Sequence, residues 1–315
     1  MGKKLSFVIP CYRSENTVMK VVEEIETTVV QRPEYDYEII LVNDGSPDNV
    51  WKVISDRAKI DDKVIGINLA KNFGQHSALM AGYNNVSGDI VVSLDDDGQT
   101  PACDVFKLID GLDKGYDIVY AQYPEVKQSL FRRWGSHFAK QMTDYMFSYK
   151  DNNRASSFFV AKRFIIDEMI RYKNPYPYLV GLVLRTTRNF GFVDIEQRKR
   201  YEGKSGYSLK SLISLWVNGF TAFSVKPLEL GAYLGFITAA LGFLFALVTV
   251  IRKLFITPDM EAGWSSIISI MLVVGGVIMI MLGLIGEYIG RIYICINDSP
   301  QFVVKETTLD NAREE

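Results

Sequence analysis

Ile90-Val91-Val92-Ser93-Leu94-Asp95-Asp96-Asp97-Gly98-Gln99 is the stretch of sequence that decides the fold. Its apolar, β-branched beginning is typical of a buried strand, and its aspartates indicate a turn at the carboxyl end of that strand. Four other runs share this strand character: Leu5–Ile9, Glu38–Val42, Val64–Leu69 and Ile118–Ala121. Segments with apolar residues at helical spacing lie between them: Thr17–Val30, Asn49–Lys59, Ser77–Asn85 and Asp104–Leu112. Strand and helix in alternation predict an α/β domain with a parallel sheet covered by helices on both faces.

Polar residues follow each of the first four predicted strands. The four stretches are Pro10–Glu15, Asn43–Ser46, Lys71–Gln75 and Asp95–Gln99. Ligands of open parallel sheets bind at the carboxyl ends of the strands, so these residues are expected to face a common crevice. The series therefore predicts a binding site at that edge of the sheet.

Three carboxylates of this crevice can be interpreted from their positions. Asp95 and Asp97 are hard oxygen ligands that suit Mg²⁺ or Mn²⁺, and a bound cation would neutralise a diphosphate. A solvated acidic turn is the alternative, although the position directly after a buried strand favours the metal site. Asp44 fits an N-cap or Asx-turn for the following helix, or an acceptor for a nucleobase or ribose, and these two roles are compatible.

The composition excludes several other classes of protein. A net charge of −2 with 23% charged residues gives no indication of nucleic-acid binding. Cys11, Cys103 and Cys295 are too scattered for a zinc site or a disulfide framework, which predicts a reducing compartment. His76 and His137 lack metal-ligand spacing. His76 is expected to begin a helix beside the crevice, and neither histidine is assigned a catalytic role.

Two uncharged apolar stretches, Leu230–Ile251 and Trp264–Gly286, follow the polar part of the chain. Helices of about 22 residues reach about 33 Å, enough to cross the ~30 Å hydrocarbon core of a bilayer. Basic residues crowd the approach to the first stretch, so the positive-inside rule predicts that the α/β head and both termini face the cytoplasm. Glu287 and Arg291, four residues apart, are expected to pair along the second helix.

These patterns predict four consecutive parts of the chain. They are the α/β head (1–206), amphipathic juxtamembrane helices (207–227), a two-helix transmembrane hairpin (228–293) and a cytoplasmic tail (294–315). An apolar stripe between Leu209 and Phe223 predicts helices that lie in the membrane interface or, alternatively, pack on the core of the head. The tail after Lys305 is expected to be disordered.

Six segments of the chain resemble the family 2 glycosyltransferases of the polyprenyl-phosphate branch, which includes dolichol-phosphate mannose synthase and the bactoprenol glucosyltransferases. The segments are Val8–Tyr12, Leu41–Ser46, Asn72–Gln75, Leu94–Gln99, Arg200–Ser205 and Gly286–Tyr293. The resemblance covers nearly the whole chain. It implies a GT-A (Rossmann-like) fold and inverting transfer of a sugar from a nucleotide-diphosphate donor, preferably a UDP-sugar, to undecaprenyl-type phosphate. The implied location is the cytoplasmic face of the bacterial inner membrane.

The resemblance also implies roles for individual residues. Residues that match Pro10, Tyr12, Glu15 and Asp44 line the nucleoside pocket. Those that match Asp95, Asp97 and Gln99 hold the cation and the diphosphate, and those that match Arg200 and Ser205 lie near the phosphates. The candidate catalytic residues are therefore Asp95, Asp97 and Arg200. This chain departs from the branch at Gly98, where a leucine is frequent.

The acceptor implied by this resemblance simplifies the chemistry. A phosphate monoester has its second pKa near 6, so it is already largely ionised at neutral pH and needs little help from a general base. Positioning the attacking oxygen and stabilising the departing diphosphate remain. Arg132, Arg133 and Arg200 are the candidate cations for this task, although Arg132 and Arg133 fit a solvated or lipid-headgroup face equally well.

Two alternative functions remain open at this point. The enzyme could add a sugar to a hydroxyl of a lipid-linked glycan, which would need a carboxylate base near the acceptor. A non-catalytic membrane scaffold is the alternative from another class, but it would not require Asp95 and Asp97 together. The identity of the sugar also stays open among glucose, N-acetylglucosamine, mannose and amino sugars. Hairpin-anchored relatives can assemble as tetramers, so a homo-tetramer is one expectation for the oligomeric state.

Overall fold

The computed structural model describes residues 2–123, 156–198, 201, 226–255 and 263–311. The chain divides into two compact units. The first consists of Met1–Leu212 together with Asp298–Glu315, and the second of Ile213–Asn297. The predicted juxtamembrane helices, residues 207–227, fall almost entirely outside the described residues, so they and the predicted domain boundaries stay predictions.

The first unit is built on an eight-stranded sheet. Its strands are β1 (Lys4–Cys11), β2 (Asp36–Asn43), β3 (Val64–Leu69), β4 (Ile90–Ser93), β5 (Ile118–Gln122), β6 (Phe159–Lys162), β7 (Phe190–Asp194) and β8 (Val304–Thr307). They are ordered β7-β5-β6-β4-β1-β2-β3-β8. The five strands predicted from the sequence are confirmed. The prediction of a parallel sheet is only partly correct, because β6 runs antiparallel to β4 and β5, and β8 runs antiparallel to β3.

The helices of the first unit cover both faces of this sheet. They are α1 (Val18–Val29), α2 (Val50–Ala58), α3 (Gln75–Tyr83), α4 (Val105–Asp113), α5 (Arg163–Met169), α6 (Leu179–Thr186) and α9 (Thr308–Asn311). Alternation along β1 separates the two faces: Phe7 and Ile9 join the core cluster that contains residues of α1 and α4. Val8 points the other way, toward α3, where a Cβ on Gly82 would clash with the Val8 Cγ1 atom. This glycine allows α3 to approach the sheet closely.

The segment after the second apolar helix belongs to the first unit. Strand β8 extends the sheet beyond β3, with Glu306 opposite Asn68. Thr308 accepts a hydrogen bond from the Gly66 backbone at 2.9 Å, and the Gln301 side chain donates to the Asn174 carbonyl at 2.9 Å. The expectation of disorder after Lys305 is therefore wrong for residues 306–311. The polar composition of this segment gives no local pattern that predicts a strand or a helix. Its order comes from the pairing of β8 with β3.

The second unit contains two long helices, α7 (Lys226–Phe255) and α8 (Trp264–Ile296). Each includes a stretch long and apolar enough to cross a membrane, Gly231–Thr249 in α7 and Val273–Ile296 in α8. Large apolar side chains such as Phe236 and Ile280 are more than 70% exposed, a pattern that a water-soluble surface disfavours. Arg291 pairs with Glu287 at 2.7 Å, which confirms the predicted contact along the helix.

Candidate functional site

Asp95, the first residue of the acidic turn after β4, is held by side chains from two separate parts of the first unit. The Gln75 side-chain amide, at the start of α3, donates to Asp95 Oδ1 at 2.8 Å. The Ser157 hydroxyl, which precedes β6, donates to Asp95 Oδ2 at 2.5 Å. The two bonds restrict the orientation of this carboxylate at the carboxyl end of its strand. Gln75 belongs to the predicted crevice, whereas Ser157 was not predicted as an orienting residue.

Asp96 connects two strand ends of the crevice. Its Oδ2 accepts a hydrogen bond from the Tyr12 backbone N–H at 3.0 Å, which joins the ends of β4 and β1. Burial raises the pKa of Asp96 to about 6, with neighbouring Asp95 and Asp97 adding to the rise and the bond from Tyr12 opposing it. The middle aspartate of the three therefore links two strands, and the role of Asp95 and Asp97 as metal ligands stays a prediction.

Asp97 and Gly98 form the tip of the acidic turn. Asp97 Oδ1 accepts a hydrogen bond from the Gln99 backbone at 2.9 Å, and the Asp97 carbonyl accepts one from the Tyr201 backbone at 3.1 Å. Gly98 has φ = 73°, a left-handed conformation that favours glycine. The departure from the frequent leucine of the related branch thus lies at a position where the left-handed backbone favours glycine.

The carboxylates of Asp95 and Asp97 fit Mg²⁺ or Mn²⁺, because both cations prefer carboxylate oxygens. Within the described parts of the chain, no three or more His, Cys, Asp or Glu residues come together in a group able to hold a metal. A cation at Asp95 and Asp97 would therefore need further oxygens from a bound diphosphate or from water. This donor set matches a cation that is bound together with a nucleotide.

Asp44 is buried at the end of β2 and clamps a neighbouring loop. Its two oxygens accept backbone hydrogen bonds from Phe73 at 2.7 Å and from Gly74 at 2.9 Å. Burial raises its pKa, and these two bonds oppose the rise. Asp44 therefore fixes the β3–α3 loop across the crevice, a role that differs from the predicted cap of the helix that follows β2. An interaction of its free lone pairs with a nucleoside stays a prediction.

The other predicted nucleoside-pocket residues follow β1. Pro10 is buried within the strand, whereas the Tyr12 ring is 42% exposed beside the crevice, with the Arg13 guanidinium 5.4 Å from its centre. The Glu15 carboxylate accepts a hydrogen bond from the Asn49 backbone at 2.9 Å, just before α2 begins at Val50. Glu15 thus also satisfies a free N–H at a helix N-terminus. The structure brings these residues to one edge of the sheet.

Four predicted phosphate- or acceptor-binding residues, Arg132, Arg133, Arg200 and Ser205, lie outside the described residues, and so does His137. Their roles stay predictions. His76 lies in the first turn of α3, as expected, and its Nδ1 is 3.1 Å from the Pro177 carbonyl. Burial lowers the pKa of His76, which favours the neutral ring as a donor to that carbonyl.

Tyr123, just after β5, was missed by the sequence reasoning. Its hydroxyl is buried and has no hydrogen-bond partner among the described residues. Burial raises its pKa, and the charges of Asp95 and Asp97 raise it further, which places this hydroxyl near the acidic turn. Its position in the sequence could have indicated it, since Tyr123 follows the fifth predicted strand at the same edge of the sheet.

The model of glycosyl transferase family 2 matches residues 6–170, which contain all of these strand ends. The chain belongs to this family. A model of the GtrB C-terminal hairpin matches residues 226–292 of this glycosyltransferase, and the resemblance drawn from the sequence motifs is confirmed.

Two curated relatives are similar over nearly the whole glycosyltransferase. An uncharacterised glycosyltransferase, YkcC of Bacillus subtilis, is 32% identical over 96% of this chain and 93% of the relative. The undecaprenyl-phosphate 4-deoxy-4-formamido-L-arabinose transferase of Proteus mirabilis is 32% identical over the same shares of both chains. Both relatives extend the similarity through the hairpin.

A solved structure shows the same fold. Glucosyl-3-phosphoglycerate synthase of Mycobacterium tuberculosis, crystallised with Mn²⁺ and UDP-glucose, superposes with a TM-score of 0.53 at 20% identity. The match covers 70% of this chain and 77% of that one. At this identity the likeness shows the fold alone, and the predicted GT-A fold is confirmed.

Proposed function

We propose that this glycosyltransferase transfers a sugar from a nucleoside-diphosphate donor, preferably a UDP-sugar, to a polyprenyl phosphate of the undecaprenyl type, with inversion at the sugar carbon. The relatives that match over 96% of the chain include enzymes named for transfer to undecaprenyl phosphate. The two apolar helices of the second unit suit an enzyme whose acceptor resides in a bilayer.

The observation that carries this proposal is the placement of two carboxylates, Asp95 and Asp97, in the acidic turn. Asp95 is oriented by two side-chain hydrogen bonds, and Asp97 follows it two residues later, so two carboxylates lie together at the carboxyl end of β4. A scaffold would gain nothing from gathering like charges at a strand end, because their repulsion is unfavourable unless a cation binds. The pair fits a site for Mg²⁺ or Mn²⁺, and such a cation would stabilise the charge of a departing nucleoside diphosphate.

The residues of the chain then position the reactants. Asp44 and Asp96 fix the β3–α3 loop and the β1 end, which shapes the crevice for the donor. A phosphate acceptor arrives already ionised and needs no base. Transfer to a sugar hydroxyl would need a carboxylate base near the acceptor, but the chain has serines at positions 156 and 157, and the Ser157 hydroxyl donates a hydrogen bond to Asp95. This contact favours the phosphate acceptor.

The proposed orientation follows from charge. Arg252 and Lys253 are balanced by Asp259 and Glu261 around the connection between the two helices, whereas basic residues dominate the approach to the first helix. The positive-inside rule then assigns the catalytic unit to the cytoplasmic face of a bacterial inner membrane, where nucleotide sugars are made.

The test is a transfer assay on the full chain reconstituted in lipid nanodiscs with undecaprenyl phosphate and Mg²⁺ or Mn²⁺. UDP- and GDP-sugars are supplied one at a time, and lipid-linked products are identified by mass spectrometry. At least one UDP-sugar should yield a lipid-linked monosaccharide, and Asp97→Asn should lower its rate by about 10²–10³-fold. Asp113→Asn is the matched control, because Asp113 is a half-exposed surface residue that pairs with Lys3 at 3.2 Å. Its rate should stay within about twofold.

Two results would contradict the proposal. Products that appear only with a lipid-linked glycan as acceptor would favour transfer to a hydroxyl. Equal activity in Asp97→Asn and wild type would exclude the acidic turn from the reaction.

A further inference from the structure

Tyr201 lies on the tip of the acidic turn. A Cβ on Gly98 would clash with Cε2 and lie 2.8 Å from Cζ of the tyrosine ring, so the ring fills the space that any other side chain would need. The Tyr201 backbone N–H also donates to the Asp97 carbonyl at 3.1 Å. Tyr201 therefore holds the backbone of Asp97 by a hydrogen bond and packs its ring against Gly98.

A second contact fastens the same segment of chain to the turn. The Arg198 backbone N–H donates to the Gln99 carbonyl at 3.1 Å. Two backbone hydrogen bonds, at Arg198 and Tyr201, thus connect a chain segment about 100 residues downstream to Asp97 and Gln99. The turn is held from outside the strand that carries it.

Glu24 on α1 anchors this segment. Its Oε2 accepts a hydrogen bond from the Tyr201 hydroxyl at 3.3 Å, and its Oε1 accepts one from Arg198 Nη1 at 2.9 Å. The Cys103 backbone N–H donates to the same Oε1 at 3.2 Å. The Lys20 ammonium lies 5.6 Å from the centre of the Tyr201 ring, within reach of a cation–π contact. We call Glu24 and Tyr201 the clamp.

We propose that the clamp positions Asp97 for cation binding, with Tyr201 acting as a positioning residue rather than a catalytic one. This inference rests on the proposed use of Asp95 and Asp97 for a divalent cation. The physical reason lies in the backbone of the turn. Gly98 is left-handed and flexible, so it restricts the backbone of the neighbouring Asp97 only weakly. The ring and the backbone N–H of Tyr201 restrict that backbone before a ligand binds. Gly98 and Tyr201 then work as a pair, since the ring packs closely only where a side chain is missing.

Mn²⁺ binding to the full chain, followed by electron paramagnetic resonance in the presence of UDP, tests the clamp without turnover. Tyr201→Ala should weaken Mn²⁺ binding about tenfold, a typical loss when a residue that supports a metal ligand is removed. Tyr201→Phe keeps the ring and should cause a smaller loss. In transfer assays, Tyr201→Ala should raise the half-saturating Mn²⁺ concentration by a similar factor, while kcat at saturating Mn²⁺ changes by less than about threefold.

A double-mutant cycle isolates the contact between ring and glycine. Gly98→Ala introduces the clash and should weaken Mn²⁺ binding, whereas the combination with Tyr201→Ala should lose less than the two single changes together. Gly115→Ala is the matched control, because Gly115 also has a positive φ (103°), yet a Cβ there would meet no atom of the described residues within 4 Å. It should bind Mn²⁺ as wild type does.

The inference is overturned if Tyr201→Ala binds Mn²⁺ as tightly as wild type, if the two changes are additive, or if wild type binds no Mn²⁺. Failure of Gly98→Ala to fold leaves the comparison of Tyr201→Ala with Tyr201→Phe as a sufficient test. A protein that binds Mn²⁺ through a clamped Asp97 yet transfers no sugar would instead overturn the proposed function and leave the clamp supported.

Discussion

Asp44 and Asp95 stand at the ends of two strands of the same sheet, and both carboxylates accept two hydrogen bonds. The donors to Asp44 are backbone N–H groups of the β3–α3 loop, Phe73 and Gly74, and Asp44 is buried. The donors to Asp95 are the Gln75 and Ser157 side chains, and Asp95 is only partly buried. The Asp44 carboxylate is held by backbone donors, whereas the Asp95 carboxylate is held by side chains that can reorient.

This difference separates a structural carboxylate, Asp44, from the proposed metal ligand, Asp95. A backbone N–H can donate a hydrogen bond but cannot accept one, so Asp44 needs two acceptor oxygens to keep its loop in place. Side-chain amides can flip and hydroxyls can accept as well as donate, so the surroundings of Asp95 can adapt when a cation or a diphosphate binds. The comparison predicts opposite consequences for the same substitution at the two positions.

Asp95→Asn should have the largest effect on activity and a small effect on stability. Gln75 can present its oxygen to the new amide, and the Ser157 hydroxyl can rotate, so the fold should persist while the negative charge is lost. We expect the transfer rate to fall by about 10²–10³-fold, with the melting temperature within a few degrees of wild type. Paired measurements of rate and thermal unfolding check this, and a large loss of stability would break the comparison.

Asp44→Asn should show the reverse pattern. Its amide nitrogen would face a backbone N–H of Phe73 or Gly74, and two donors cannot pair. A buried donor left without a partner costs about 1–3 kcal/mol, so we expect a clear fall in melting temperature and a raised KM for the donor. Denaturant unfolding of the reconstituted chain measures the first effect and donor titration the second. Wild-type stability in this variant would show that the loop does not depend on Asp44.

Ser157→Ala should produce a moderate, purely kinetic loss. It removes one of the two groups that orient Asp95, and loss of such a supporting contact typically lowers metal affinity or activity by about tenfold. The neighbouring Ser156→Ala is the control, because the Ser156 hydroxyl donates to the Phe158 carbonyl instead. Equal rates in the two variants would count against the orienting role of Ser157.

The smallest expected effect concerns pH and the helix that carries Gln75. Burial lowers the pKa of His76, so the folded state takes up fewer protons than the unfolded state below the ordinary histidine pKa of about 6.5. The contribution of this group to stability is therefore present above that pH and decreases as the pH falls through it. His76→Gln should show a smaller drop in melting temperature between pH 7.5 and pH 5.5 than wild type does. An identical drop in both proteins would show that His76 does not sense pH.

The family, the GT-A fold, the position of the acidic turn and two apolar helices were all accessible from the sequence, because they depend on local patterns. A strand such as Ile90–Ser93 is marked by β-branched residues next to one another, and the helices of the hairpin by length and apolarity alone. The relevant information lies within a few neighbouring residues. The roles of Arg132, Arg133, Arg200 and Ser205 stay predictions of this kind.

Only the tertiary structure decided which residues support the acidic turn. Ser157 reaches Asp95 across 62 positions, Tyr201 reaches Glu24 across 177, and Glu306 reaches Asn68 across 238. Contacts at such separations leave no period or spacing in one sequence, because they form only when distant segments are brought together by burial of the core. The chain thus encodes the carboxylates of the acidic turn locally, whereas their orientation depends on the completed fold.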